Sequence, residues 1–344
     1  MSTISDMKVA VLTIDGMFDS GLSVVLDVLS SANALRSEVC GAPSPIKVTV
    51  AGIGESVTTG HGLRISTTPA RELEPAPDIV VMPAPGVKES HHVIGLVADH
   101  PILSWISTMA EEGTALAAAS TGTFFLAESG VLDGLRATTS WWLGPAFRKR
   151  YPAVELNETS TLVHDGRVTT AGAAFAHIDL ALSIVRQQSP ALAELVSRHL
   201  LIGDRPSQAA FAIPSMLAGA DPVLTAFELW VRRNLANPLP LKSIAGALGV
   251  SERTLQRVST SVVGMSPMDF VHEIRLDQAT FLLRTTTMSA EAIARAVGYQ
   301  HVGTLRALIR RRRGSTLAGL RSGAHDQPER SPQQVRSSPG REPF

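Results

Sequence analysis

The chain has 344 residues, of which 44% are hydrophobic, and its 31 Lys/Arg are balanced by 31 Asp/Glu. That length favours two domains over one, and the apolar content excludes global disorder. The only cysteine, Cys40, excludes an intrachain disulfide and a cysteine zinc site, and no stretch approaches the roughly 20 uninterrupted apolar residues of a membrane span.

The neutral total hides a segregation of charge. Asp221 to Gly323 carries 14 Lys/Arg against 7 Asp/Glu, a net +7, so the rest of the chain carries −7. A basic module on an acidic body suits a polyanionic partner. Met1 to Thr13 lacks a basic start followed by a long apolar run, so a signal peptide is not expected and a cytoplasmic location is.

In chain order, Lys8 to Leu12 is apolar and β-branched, as a buried parallel strand requires. Gly21 to Leu35 has helical periodicity, with Leu22, Val25, Leu26, Leu29 and Ala32 on one face. Ile46 to Val50 and Asp78 to Met82 read as strands, Leu103 to Glu112 as a helix, Ala115 to Ala119 as a strand and Thr121 to Ser129 as a helix. Val168 to Gly172 and the helix His177 to Arg186 close the alternation before Ser189-Pro190 breaks it. Strands and helices alternating in this way imply a doubly wound, flavodoxin-like α/β sandwich. The expected organisation is an α/β domain over 1–195, a linker over 196–220, a helical domain over 221–323 and a disordered tail over 324–344.

Two helix-turn-helix patterns stand in tandem, Leu241 to Pro267 and Met288 to Gly314. In the first, Leu241, Ile244, Ala245 and Leu248 form an apolar face, Gly249 supplies a left-handed turn and Ser251 caps the next helix. Leu255 should face the core, leaving Arg253, Thr254, Gln256 and Arg257 outward. In the second, Ser289 is the cap, Ile293 and Val297 pack inward and Gly298-Tyr299 makes the turn. His301, Thr304, Arg306 and Arg310 are then the exposed candidates on the following helix. Gln and Arg can contact base edges in a major groove, and the run Arg310 to Arg313 suits phosphate.

Residues 221 to 321 resemble an AraC/XylS-type DNA-binding domain. The resemblance rests on Gly264-Met265-Ser266-Pro267, Ile274-Arg275-Leu276-Asp277-Gln278-Ala279 and Ile293-Ala294-Arg295-Ala296-Val297-Gly298-Tyr299, matching GxSP, RLxxA and IAxxxGY elements in order. It departs where the family usually has Phe and this chain has Leu305 and Ile309, and where TPxxYR is replaced by Thr316 to Arg321. Gly303 also sits inside the second recognition helix, at a cost of roughly 1 kcal/mol against Ala.

Ala118-Ala119-Ser120-Thr121-Gly122 joins a strand to a helix, with small residues around Ser120, as a nucleophile elbow requires. The segment Ser120 to Gly134, followed by Ala137-Thr138-Thr139-Ser140-Trp141, resembles the ThiJ/PfpI branch of the class I glutamine amidotransferase-like superfamily over residues 8 to about 188. That family places a reactive Cys at the position of Ser120 and often a His near Ser140. Both are Ser here. Pro85, in the loop where the enzymes often carry adjacent glycines, has no N–H to donate, and Asp19 lies near their acidic partner of the thiol. His164 and His177 are the candidate bases for a serine mechanism.

The two resemblances occur in the same order in GlxA-type regulators. They imply a transcription factor, more often an activator, without enzymatic activity and without a cofactor. Its partners would be double-stranded promoter DNA, RNA polymerase, a small-molecule effector and a second copy of the chain. Gly86, Ser120, Thr121 and Trp141 are the ligand-binding candidates of the α/β half. The alternative is an amidase or glyoxalase-like enzyme using Ser120. His91, His92 and His100 form no metal-ligand spacing, so no metal is expected, and Cys40 reads as inert.

Overall fold

The computed structural model describes residues 6–87, 89–203, 208 and 221–322. The expected tail, 324–344, and most of the expected linker lie outside the described residues.

The α/β half begins β1 (Met7–Leu12), α1 (Asp19–Leu35), β2 (Ile46–Gly52), a hairpin of β3 (Ser56–Thr58) and β4 (Arg64–Ser66), β5 (Thr68–Pro69) and β6 (Ile79–Met82). It continues α2 (Ser90–Val97), α3 (Ile102–Glu111), β7 (Ala115–Ala119), α4 (Thr123–Glu128), β8 (Arg136–Ala137) and α5 (Gly144–Arg150). β9 (Glu155–Leu156), β10 (Leu162–Asp165), β11 (Val168–Ala171), α6 (His177–Gln188) and α7 (Pro190–His199) complete it. The main sheet runs β10-β11-β7-β6-β1-β2-β5, parallel except for the edge strand β10. The order β2-β1-β6-β7-β11 is the doubly wound arrangement expected, with its switch point between β1 and β6.

Both faces of the sheet are buried, and the strands show why. In β1, Val9 and Val11 face one core, with Val25 and Leu29 of α1 and Leu180 of α6. Ala10 and Leu12 face the other, with Ile106 of α3 and Phe124 of α4. The period of two puts successive residues on opposite faces, so a doubly covered strand must be apolar at every position. Residue 196, expected to open the linker, is a buried valine of α7 in the first of these cores, and Leu200 and Ile202 pack against it. Ser189 explains the extension: its hydroxyl accepts from Leu192 N at 3.2 Å and caps a new helix instead of ending the unit.

The helical half comprises α8 (Pro222–Arg233), α9 (Leu241–Ala247), α10 (Glu252–Val258), a π-helical turn Ser259–Val263, α11 (Pro267–Thr285), α12 (Ala290–Ala296), α13 (Val302–Arg313) and α14 (Leu317–Ser322). Its first core contains Leu224, Phe227, Ile244, Leu255, Phe270 and Ile274. The second contains Leu276, Ala279, Ile293, Val297, Leu305 and Ile309. The 19-residue helix α11 therefore serves both cores in succession, about 28 Å of rod that spaces the two units.

Carboxylates of α11 fix the neighbours around it. Arg312 of α13 pairs with Asp269 and, at 2.7 Å, with Glu273, and Arg313 pairs with Glu273 at 2.7 Å. Arg232 of α8 pairs with Glu228 and reaches Asp277 at 3.0 Å. Arg275 donates to Leu235 O at 3.2 Å and Asn237 O at 2.8 Å, tying α11 to the α8–α9 connection. Gly298, at φ +83°, lies against the same place: a Cβ there would collide with Leu235 O and the Arg275 guanidinium. Gly298→Ala combines backbone strain with a clash against a backbone oxygen. It should destabilise the helical half by about 2–4 kcal/mol, read as a lower urea midpoint than the unchanged chain.

Candidate functional site

The second helix of each helix-turn-helix unit presents the residues expected to face a ligand. In α10, Leu255 is buried while Arg253, Gln256 and Arg257 are exposed. Ser251 caps the helix by accepting from Thr254 N at 3.0 Å, and Gly249 takes φ +67° in the turn before it. Thr254 differs from its neighbours: it is half-buried and its hydroxyl meets Ser251 Oγ at 2.8 Å, so it belongs to the cap. In α13, Leu305, Leu308 and Ile309 are buried, and Thr304, Arg306 and Arg310 are exposed, with His301 exposed at the N-cap. Leu305 and Ile309 are fully buried, so the positions that depart from Phe still face the core.

The arginine run divides. Arg310 and Arg311 are exposed, whereas Arg312 and Arg313 turn inward to Asp269 and Glu273. The run of four expected to suit phosphate therefore leaves two outward cations. A helix end rotates successive residues by about 100°, so four consecutive side chains cannot share one face. Sequence reasoning missed Arg321 of α14. It lines a cavity of about 490 Å³ with Arg306 and Arg310. Its Nη2 donates to Met288 O at 2.5 Å.

At the end of β7 the backbone turns as an elbow does. Ser120 takes φ +55°, a left-handed conformation that costs a non-glycine residue on the order of 1 kcal/mol or more. The turn lies in a short 3-10 segment, Ser120–Gly122, ahead of α4, so the helix expected from Thr121 opens as a tighter turn. Gly122 is needed for close approach, because a Cβ there would overlap Met82 O.

The polar groups around that turn bond to one another. Ser120 Oγ lies 2.6 Å from Ser140 Oγ, both hydroxyls buried. Thr139 Oγ1 donates to Ser120 O at 2.7 Å, and Thr121 Oγ1 donates to Pro85 O at 2.8 Å. In the facing loop, Ala84 N donates to His177 Nε2 at 3.0 Å and Gly86 N donates to Gly16 O at 2.8 Å. Pro85 has no N–H, so all three backbone positions are accounted for and none is left to hold an oxyanion.

The candidate bases are engaged elsewhere. His177 bonds Ala84 N and Ala174 O, and burial pushes its pKa down to about 4, which keeps it neutral. His164 bonds Thr169 Oγ1 at 2.9 Å on the sheet edge. Asp19 bonds Thr59 Oγ1 at 2.6 Å and His61 Nδ1 at 2.8 Å; these bonds hold its carboxyl below the usual range. Of the four ligand candidates, Ser120 and Thr121 form the elbow, and Gly86 lies in the loop whose Pro85 O accepts from Thr121 Oγ1. Trp141 lines a separate cavity of about 280 Å³ with Trp142, Phe175 and Gln208. Trp142 stands next to Trp141 in the sequence, whereas Phe175 and Gln208 are far from both along it and carried no signal.

Residues 7–187 match the DJ-1/PfpI family model, and residues 244–323 match a helix-turn-helix domain model. The first match covers more than half of the chain. The chain belongs to the DJ-1/PfpI family. Within it, this DJ-1/PfpI chain is 30% identical over 203 residues to the HTH-type transcriptional regulator CdhR of Pseudomonas aeruginosa, covering 58% of this chain and 60% of that one. It is 26% identical over 252 residues to the HTH-type transcriptional regulator GbdR of the same species, covering 72% of this chain and 66% of that one. The matched part is thus under two thirds of either regulator's own length. A solved structure from Vibrio parahaemolyticus, 18% identical, superposes with a TM-score of 0.50 over 57% of this chain and 100% of that one, a likeness of fold.

The buried imidazole of His177 gives this family member a measurable pH signature. Its folded pKa of about 4 lies below the ordinary 6.5, so between those values the unfolded chain takes up a proton that the folded chain refuses. Stability associated with neutral His177 is complete above pH 6.5 and is lost as pH falls towards 4, by about 3 kcal/mol in all. His177→Gln should flatten that part of the curve of unfolding free energy against pH; an unchanged slope would exclude His177 as its source.

Proposed function

We propose that this chain is a sequence-specific DNA-binding transcriptional regulator, and an activator. Its α/β half has lost the family's chemistry and serves to sense a small metabolite or to dimerise. One observation carries the reading. Two recognition helices, each with exposed polar and basic residues, are held on a common helix whose own carboxylates are spent inward. Arg253, Gln256 and Arg257 of the first unit, with Thr304, Arg306 and Arg310 of the second, are the proposed DNA contacts. Thr254 and His301 take part at the helix starts. RNA polymerase is the further partner of an activator, and the cytoplasm is where such a regulator meets DNA. The elbow residues Gly86, Ser120 and Thr121, and Trp141 of the separate cavity, are the proposed sensing residues.

Selection of random or genomic fragments by the full chain over a salt series tests the main reading. A single motif that survives moderate salt is expected. Motif-free binding that vanishes with salt would reduce the helical half to a generic polyanion anchor. On the selected motif, Arg257→Ala and Arg306→Ala should each cost about 1–3 kcal/mol if the residue reads a base. A phosphate-only role would instead weaken all sequences alike and lower the salt slope.

A Ser120 enzyme is the second reading, favoured by the left-handed Ser120 alone. Ser120→Ala should leave amide and 2-oxoaldehyde turnover by the purified chain at its background level. A turnover abolished by that substitution in a folded protein would establish the enzyme instead.

A further inference from the structure

The α/β half touches the helical half at the end of the first recognition helix. α10 continues without a break into the π-helical turn Ser259–Val263, and Gly264, left-handed at φ +69°, ends the segment. The last carbonyls of a helix have no partner within it, and Val262 O is among them. It accepts from Arg148 Nη2 at 3.1 Å. Arg148 belongs to α5, so the cap of this helix comes from the other half of the chain. Its positive charge also suits the negative end of the helix dipole.

Arg148 is itself held. Its guanidinium pairs with Glu158, and both side chains are half-buried. Two glycines make room for the pair, one from each half. A Cβ on Gly144, at the start of α5, would fall on Glu158 Oε1, although the Gly144 backbone is ordinary right-handed helix. Space alone therefore asks for glycine there. A Cβ on Gly264 would come within 3.2 Å of both Arg148 Nη1 and Glu158 Oε2. A guanidinium shared between a carboxylate and a main-chain oxygen has little freedom, because its donors form a rigid fork. Arg257 stands five residues before Val262, little more than one turn away. The second recognition helix is fixed differently, through Arg312 and Arg313 to the carboxylates of α11.

We propose that Arg148 is a positioning residue for the first recognition helix, and that Glu158 acts through it. The α/β half thereby fixes the end of α10 and, with it, the base reading of Arg253, Gln256 and Arg257, while the second unit reads independently of it. A shift of Arg148 within the α/β half then alters one of the two recognition helices and leaves the other as it was. The capping step stands on the geometry alone, whereas its effect on sequence preference rests on the DNA-binding reading above.

Two measurements on the full chain test this. The first is amide hydrogen exchange with no DNA present. Arg148→Ala should speed exchange over 252–263 about tenfold, the loss of one charged hydrogen bond at the segment's end, and leave 302–313 unchanged. Unchanged exchange over 252–263 overturns the cap. An equal rise over 302–313 overturns it too, because the loss is then one of general stability. The second is fragment selection. Alanine at Gln256 or Arg257 marks the base pairs read by the first unit, and Arg306→Ala marks those read by the second. Arg148→Ala should lose about fivefold or more of the preference at the first set and keep it at the second. Glu158→Gln should give a smaller loss at the first set, one that disappears when residue 148 is already alanine. A loss spread evenly over the motif, or no loss, overturns the positioning role. A Glu158→Gln loss that adds in full to that of Arg148→Ala overturns the route through Arg148. If the chain selects no motif, or the alanine variants mark no base pairs, the effect on preference fails together with the DNA contacts proposed above, and hydrogen exchange still decides the cap.

Discussion

Phe270, Val271 and Ile274 of the helix Pro267–Thr285 enter one core, and Leu276, Ala279 and Leu283 of the same helix enter the next. Everything in the helical half is placed by that shared rod. Each unit alone has too few apolar residues to bury a full core, because its paired helices are as short as 7 residues. The rod supplies the missing wall to both and sets the distance between the two recognition helices. Its polar side is equally committed. Asp269, Glu273 and Asp277 hold arginines from α13 and α8, so rotation of either unit about the rod breaks charge pairs that are partly removed from water. The hydrogen bonds from Ser266 Oγ and Arg312 hold the Asp269 carboxyl well below the ordinary range, so this arrangement stays ionised at neutral pH.

The α/β half keeps a strained, left-handed turn at Ser120. In an active elbow, a left-handed residue lifts the reactive atom above the sheet edge, where a base and two backbone N–H groups wait. Here the same turn delivers a hydroxyl to another hydroxyl. The loop across from it has used Ala84 N on His177 and Gly86 N on Gly16. Those two N–H groups now hold the crossing of two loops and a helix together. Arg148 carries this rigidity to the other half: it pairs with Glu158, whose carboxyl is pushed up by burial, and donates to Val262 O at 3.1 Å, in the π-helical turn that follows the first recognition helix.

What was legible in the sequence was local. Gly249 and Gly298 read as turns because left-handed positions favour glycine, and Ser251 and Ser289 read as caps because the bond they make spans three residues. The five-stranded parallel core followed from apolar runs such as Ala115 to Ala119. Pairings across long separations were hidden. Arg312 and Arg313 looked like part of a cationic stripe until Asp269 and Glu273, about forty positions earlier, were found beside them. The closed elbow was half legible through Pro85. The other half required His177, which lies 93 residues from the Ala84 N–H that it accepts. Helix α7 escaped notice because Pro190 reads as an ending, although after a serine cap the same residue begins a helix well.

Charge segregation along the chain acquires a direction once the inward pairs are known. Four of the helical half's seven carboxylates, Glu228, Asp269, Glu273 and Asp277, face Arg232, Arg312 and Arg313. Three carboxylates and eleven cations remain for the rest of that half, so its outward field is stronger than the net +7 suggests. With −7 on the rest of the chain, the molecule is neutral in sum and strongly dipolar. A dipole of this kind orients in the field of a polyanion before contact. The helical end is drawn in while the α/β end is turned away, and encounters in the wrong orientation are suppressed without any cost in net charge.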